Sequence, residues 1–498
     1  MFTDESLDPV EFKSSWKKER HVADNSCQTS DLLIEEVGCQ SIERNDEGTQ
    51  TDDGRERALN LAETDLHRLN QFLQRVEPLI VTALSKNLKS HAFDNLLSST
   101  ENEGASVTCV HTLGHIALGE ELQVTGLSWN CTGSVIAAAY GRYDHEDWCT
   151  HKAAVATWNL DKRSLNVNKP DTVIDSSCCI MCLEFHPENP AWIAGGNFNG
   201  EVMVWDLSKE DDLLVASSGI GDDAHREPVT KVKWIPDPAS KSRRHQIISA
   251  SGDGKILIWA MSSKKQRLKL VDGFVLMAQS LPRSMKTRSV RADKEIGVTC
   301  LSYNAEDKDM FIIGSESGCV FKCSMHAQGN PAGSHVISSV PLRSPVTFTF
   351  NPHHGPVYSV DCSPYHRHAF LSSGMDQCLR LYNMLQDQPI LTIEPGDGYL
   401  FGAKWSPVRP TVLATVSENG SLLVYDLREG HLAPLQKLEA GMKKASVYSL
   451  QFNAHQRHLL ATGDGLGYIK IWKLGDELTT QLPRENDQLN NLISTSAD

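Results

Sequence analysis

The feature that most constrains this chain is a unit that returns seven times between residues 124 and 474. Its clearest copy is 180–207, IMCLEFHPENPAWIAGGNFNGEVMVWDL. Residues 180–185 are an apolar run of strand formers, and 186–190 read as a turn. A second apolar run covers 191–194. Residues 195–200 supply types that tolerate positive φ. The stretch 201–206 then alternates, with Val202, Val204 and Asp206 on one face and Met203 and Trp205 on the other.

Related copies lie at 229–261, 298–325, 357–384, 399–427 and 447–474, with a degenerate first one at 124–160. Their closing positions are Trp158, Trp205, Trp259, Cys323, Tyr382, Tyr425 and Trp472, spaced by 47, 54, 64, 59, 43 and 47 residues. A repeat of about 40–45 residues with a Trp-Asp ending is the WD signature, one four-stranded blade per repeat. The expected fold is therefore all-β, a seven-bladed WD propeller over 107–475. The longer spacings hold polar insertions at loop positions.

Two details refine this expectation. Residues 107–113 alternate like a strand but precede the first blade, while 476–498 read as a polar C-terminal tail without a strand. The economical arrangement has 107–113 complete the last blade and close the ring. The pairs Asn199-Gly200, Asp253-Gly254, Ser317-Gly318, Asn419-Gly420 and Asp464-Gly465 mark the hairpin turns.

The N-terminal region is different. Residues 1–57 carry 15 acidic and 7 basic side chains and few apolar ones. That composition leaves too little apolar area to offset ordering entropy, so the segment reads as a disordered tail. Within it, Cys27-Gln28-Thr29 and Thr49-Gln50-Thr51 place Gln beside Thr, suited to adding a strand to a sheet edge. The plainer reading is polar linker. Over 58–97, Leu66, Leu69, Leu73, Val76 and Ile80 recur at helical spacing. Pro78 predicts a kink or a break into two shorter helices. The stripe either packs on the propeller flank or docks a separate subunit.

Chemistry is sparse. The net charge of −15 argues against a nucleic-acid partner. No apolar run approaches the roughly 18 residues of a membrane span. Thirteen scattered Cys suit a reducing, cytosolic compartment. There is no phosphate-cradling loop, GxSxG or HExxH. Cys179-Ile180-Met181-Cys182 is a lone CxxC, read as buried strand cysteines rather than a metal site. No catalytic, metal or cofactor residues are assigned, and a binding scaffold is favoured over an enzyme. In the loop 142–152, Tyr143 and Trp148 are candidate contact residues, with packing over their own blade as the alternative.

An acidic tail with QT segments, an amphipathic helix and a WD propeller together resemble the dynein intermediate chains. The matching stretches include 26–30 (SCQTS), 69–94, 129–148, 194–208 and 355–376. They are most similar to the intermediate chains of cytoplasmic dynein 2, the motor of retrograde intraflagellar transport. The resemblance implies a non-catalytic subunit whose propeller grips the dynein 2 heavy-chain tail. It implies that Leu66, Leu69, Leu73, Val76 and Ile80 bind a roadblock-type light chain. The two QT segments would bind small dimeric, TQT-binding light chains beside a second intermediate chain, with Tctex-type light chains a further possibility. Contact with intraflagellar-transport trains would be indirect, and the location cytoplasm, cytoskeleton and cilium, from axoneme to basal body and centrosome. A generic propeller adaptor, such as a substrate receptor or coat component, is the alternative.

Overall fold

The computed structural model describes residues 63–89, 106–115, 122–145, 148–238, 244–262, 266–286, 291, 293–304, 306–333, 336–428 and 432–494. The chain divides into two units, Met1–Leu97 and Ser98–Asp498. The segments 27–29 and 49–51 lie outside the described residues.

In the first unit, α1 spans Glu63–Lys89 as one helix that runs through Pro78. The expected break into two helices does not occur. Proline removes one N–H and leaves the turn before it short of a bond. The Thr82 hydroxyl donates to the Pro78 carbonyl at 2.6 Å on the following turn.

The second unit is a ring of seven four-stranded antiparallel sheets. Six are built from consecutive strands, over 123–176, 180–217, 229–275, 298–349, 357–393 and 400–439. The seventh takes Val447–Phe452, Leu459–Asp464 and Tyr468–Leu474 from the end of the ring and Val107–Gly114 from its beginning. Val107 pairs with Leu474 and Gly114 with Tyr468, so the last blade is closed by the first strand. This removes the edge that an open ring would expose.

All seven closing residues lie on the third strand of a blade, and all are buried, Cys323 among them. The main apolar clusters sit between blades rather than within one sheet. Each of seven joins side chains of two adjacent blades, and one joins the seventh to the first through Leu113, Ile469, Val124 and Trp158. Sheets with two apolar faces achieve this by stacking radially.

Buried polar side chains tie some blades internally. In the third, Trp259 Nε1 donates to Ser249 Oγ at 2.8 Å, His225 Nε2 lies 2.7 Å from the same hydroxyl, and His225 Nδ1 lies 3.2 Å from Asp253. In the fifth, His353 spans Ser372 at 2.7 Å and Asp376 at 2.9 Å.

The glycines divide into two uses. Gly195 belongs to the strand Trp192–Asn197, not to the turn expected over 195–200. A Cβ there would lie 2.6 Å from the Trp205 ring, so its absence lets the indole pack on the sheet. In the seventh blade the residue with positive φ is Gly467 (84°), two positions beyond the expected Asp464-Gly465 pair.

Residues 476–494 are not a plain polar tail. Two helices, α2 (Asp476–Thr479) and α3 (Glu485–Ser494), follow the last strand. Leu489 and Ile493 of α3 are buried in the junction between the fifth and sixth blades.

Candidate functional site at the channel mouth

Every innermost strand slips its register at the same place. The ladder skips Thr125, Met181, Thr230, Thr299, Tyr358, Phe401 and Tyr448, always the residue after the first buried aliphatic position. A bulge leaves one residue unpaired and re-aims its side chain. Seven bulges at one level form a ring of side chains around the central channel.

That ring has two halves. On one side, Thr125 donates its hydroxyl to the Ile180 carbonyl at 2.6 Å and Thr230 to the Val298 carbonyl at 2.7 Å. Thr299 bonds the Val357 carbonyl in the same way. Each threonine thus clips its blade to the next. On the other side, Tyr358, Phe401 and Tyr448 form an aromatic arc, with centroids 5.1 Å and 4.9 Å apart. Tyr143 extends it, 5.0 Å from Tyr448. Offset or tilted rings at such distances attract one another.

Three residues further along, the strands latch again. Glu184 accepts from the Trp234 N–H at 3.3 Å and pairs with Lys233 at 2.5 Å. Asp361 accepts from the Trp405 N–H at 2.8 Å and pairs with Lys404 at 2.7 Å. Ser128 and Ser302 take the same place for Phe185 and Cys362, each at 3.0 Å. The charged groups of the channel therefore hold blades together. Lys231 differs, having no ion-pair partner among the described residues. Burial, then the nearby Lys404 and Lys233 charges, bring its ammonium down to about 8. Lys231, Lys404 and the aromatic arc line a cavity of about 590 Å³.

The residues singled out from sequence fall in separate places. Tyr143 and Trp148 lie in the loop between the strands Val135–Gly141 and Ala153–Asn159, and both are exposed, Trp148 at 57%. Tyr143 joins the arc at the mouth. On α1, Leu66, Leu69, Leu73 and Ile80 are exposed and Val76 is half-buried. Phe72, Leu79 and Leu84 are exposed too and widen the apolar face to an arc of roughly 140° at 3.6 residues per turn. Among the described residues, no helix is long and apolar enough to cross a membrane.

The two cysteines of the CxxC part company. Cys182 Sγ faces the Val229 carbonyl at 3.3 Å at the channel wall. Cys179 meets Cys149, whose Sγ accepts the Cys179 N–H at 3.2 Å. Burial opposes ionisation of Cys149, but this N–H and the hydrogen bonds from His151 overcome it and bring the thiol to about 6. Burial pushes the Cys179 thiol up to about 12. Strand spacing alone could not bring Cys149 and Cys179 together, because the loop that carries Cys149 sets the contact.

Comparison with known proteins agrees with this architecture. Residues 151–247 match the family model described as "Dynein axonemal intermediate chain 3 WD40 domain", and 344–383 match "WD domain, G-beta repeat". The chain is 43% identical over 495 residues to mouse cytoplasmic dynein 2 intermediate chain 2, covering 98% of this chain and 92% of that protein. It is 44% identical over 435 residues to the human protein of the same name, covering 87% and 81%. Human dynein axonemal intermediate chain 2 is 25% identical over 372 residues, covering 74% and 55%. With near-full-length identity at this level and the seven-bladed WD ring in place, the chain belongs to the family of cytoplasmic dynein 2 intermediate chains.

Proposed function

We propose that this chain is a non-catalytic subunit of the dynein 2 motor that holds the heavy-chain tail on its propeller and light chains on its N-terminal region. The observation that carries the reading is the near-full-length likeness to two dynein 2 intermediate chains. The aromatic arc adds a surface suited to the task. Clustered aromatic side chains at a concave mouth are common anchors of protein interfaces. We assign the heavy-chain contact to Tyr358, Phe401, Tyr448 and Tyr143, with Trp148 at the rim.

The exposed apolar face of α1 suits helix-in-groove docking of a roadblock-type light chain. The segments 27–29 and 49–51 would each add a strand to a dimeric, TQT-binding light chain. One dimer could then hold this chain and a second intermediate chain, with avidity exceeding single-site affinity by about 10²–10⁴. The assembly would serve retrograde intraflagellar transport and cilium assembly, between the basal body and the axoneme.

The test is co-purification. Removing residues 1–99 should leave heavy-chain binding and abolish light-chain binding. Phe401→Ala with Tyr448→Ala in the full chain should weaken heavy-chain recovery more than about tenfold, the loss expected of two interface anchors. Failure of the truncated propeller to recover the heavy chain would show that the division of labour is wrong. Undiminished recovery by the double variant would move the contact to another face.

A further inference from the structure

The loop carrying Tyr143 and Trp148 is long for its place. Eleven residues separate the strands Val135–Gly141 and Ala153–Asn159, where four separate Trp192–Asn197 from Val202–Asp206 in the next blade. The insertion brings two imidazoles and a thiol onto a second thiol from the start of the second blade. The ligand atoms of His145, Cys149, His151 and Cys179 all lie within 4.8 Å of one another. His145 Nε2 is 3.1 Å from Cys149 Sγ, and His151 Nδ1 is 3.8 Å from the same sulfur.

Packing accounts for part of this arrangement. Cys149 and Cys179 are buried, as free cysteines commonly are. It does not account for the imidazoles. His151 is exposed, yet its Nδ1 turns towards the sulfur. The His145 ring stacks on Phe198 at 4.0 Å, and its Nδ1 is buried without a hydrogen-bond partner. A neutral imidazole whose Nε2 binds a cation keeps its proton on that Nδ1. Nearby, Asn199 clamps the loop from both sides: its Oδ1 accepts the Cys149 N–H and its Nδ2 donates to the Cys149 carbonyl, each at 3.0 Å.

We propose that His145, Cys149, His151 and Cys179 form a structural zinc site that fastens the contact loop to the second blade. Two thiolates and two imidazoles are a common zinc set, with bonds of about 2.3 Å to sulfur and 2.0–2.1 Å to nitrogen. A tetrahedron of those bonds holds its ligand atoms roughly 3.3–3.8 Å apart, so closing on the ion requires movements of about an ångström. The two thiol protons leave as the ion binds, and the complex is neutral. Four protein ligands leave no open position, which makes the site structural rather than catalytic. Its effect is to hold Tyr143 against Tyr448 and to present Trp148 in one orientation.

The experiment uses the full chain, stripped of metal under reducing conditions and titrated with cobalt(II) and then zinc. The expected result is about one cobalt per chain at this site, with visible bands of a tetrahedral centre and a near-ultraviolet thiolate charge-transfer band, both erased by zinc. Cys149→Ser with Cys179→Ser should lose the charge-transfer band. His151→Ala, at an exposed ligand, should weaken cobalt affinity more than about tenfold while leaving the Tm of the metal-free chain unchanged. Zinc should also shift the tryptophan fluorescence of the parent chain, but not that of the double serine variant or of Trp148→Phe. Absence of the thiolate band from the parent chain, or its persistence in the double variant, overturns the proposal. A Cys149–Cys179 disulfide in protein prepared with reductant and zinc would overturn it in favour of a redox pair.

Discussion

Arg409 and Glu485 lie 76 positions apart in sequence and form an ion pair from which solvent is wholly excluded. Arg409 Nε donates to Glu485 at 2.8 Å, and its Nη2 reaches Asp426 at 3.0 Å. Thr411 donates its hydroxyl to the same Glu485 oxygen at 2.6 Å. The pair fixes the start of α3 on the sixth blade.

Removing Glu485 deprives buried Arg409 of two charge-assisted hydrogen bonds and leaves Asp426 as its carboxylate partner. Glu485→Ala should therefore destabilise the propeller by about 1.5–3 kcal/mol, the cost of losing hydrogen bonds to a charged group. Chemical denaturation of the variant measures this directly. Loss of less than about 1 kcal/mol would mean that water reaches Arg409.

The closing strand makes a separate prediction. A chain that begins at residue 100 keeps Val107–Gly114, whereas one that begins at 116 exposes the edge of Tyr468–Leu474. Buried Val107 and Leu113 each contribute about 1.5–3 kcal/mol of transfer free energy, so the shorter chain should melt well below the longer one. Equal melting temperatures would refute closure by this strand.

The fifth blade should be acid-sensitive. Burial opposes the Asp376 charge, but His353 and then Arg380 outweigh it and hold the carboxyl at about 2. Burial also lowers His353, against the pull of Asp376. A carboxyl depressed on folding stabilises above its unfolded value near 3.9 and loses that contribution as pH falls towards about 2. A depressed histidine costs stability once pH falls below about 6.5, where the unfolded chain takes up the proton first. Both effects lower stability in acid. Asp376→Asn should cost about 2 kcal/mol at pH 7 and flatten the loss between pH 4 and 2, as read from unfolding curves across pH.

If α1 docks a roadblock-type light chain as proposed, Leu69→Asp with Leu73→Asp should release it. Both side chains are at least 40% exposed, so the propeller's melting temperature should not move. A fall in that temperature would assign the stripe to packing within this chain.

What the sequence made legible is the part dictated by period and polarity. The seven third-strand positions stood out because each blade needs a large apolar residue there, and even Cys323 occupied its expected place. The alternation at 107–113 likewise identified the closing strand. The bulged residues did not stand out, since a register slip depends on how two strands pair and not on either alone. Nor did His225, which reaches Ser249 and Asp253 without the Gly-His pair usual before an inner strand. The helix α3 was missed because its burial rests on few residues, Glu485, Leu489 and Ile493, within a polar stretch. Pro78 does not split the helix, because one missing hydrogen bond does not outweigh 27 residues of helix.

The way the ring is shut has a mechanical consequence. Ser106 and Gly475 are hydrogen-bonded at 2.8 Å, so the two strands of the clasp enter and leave at the same corner. Tension arriving through the chain before Ser106 meets the Val107–Leu474 rung first and the Gly114–Tyr468 rung last. Load is then borne one rung at a time, as in a zipper, instead of being shared in shear. Forced opening is governed by the rate of peeling rather than by the total stability of the fold. A ring held by apolar cores between all seven blades would thus open first at its N-terminal corner, while the α3 anchor on the sixth blade keeps its other end in place.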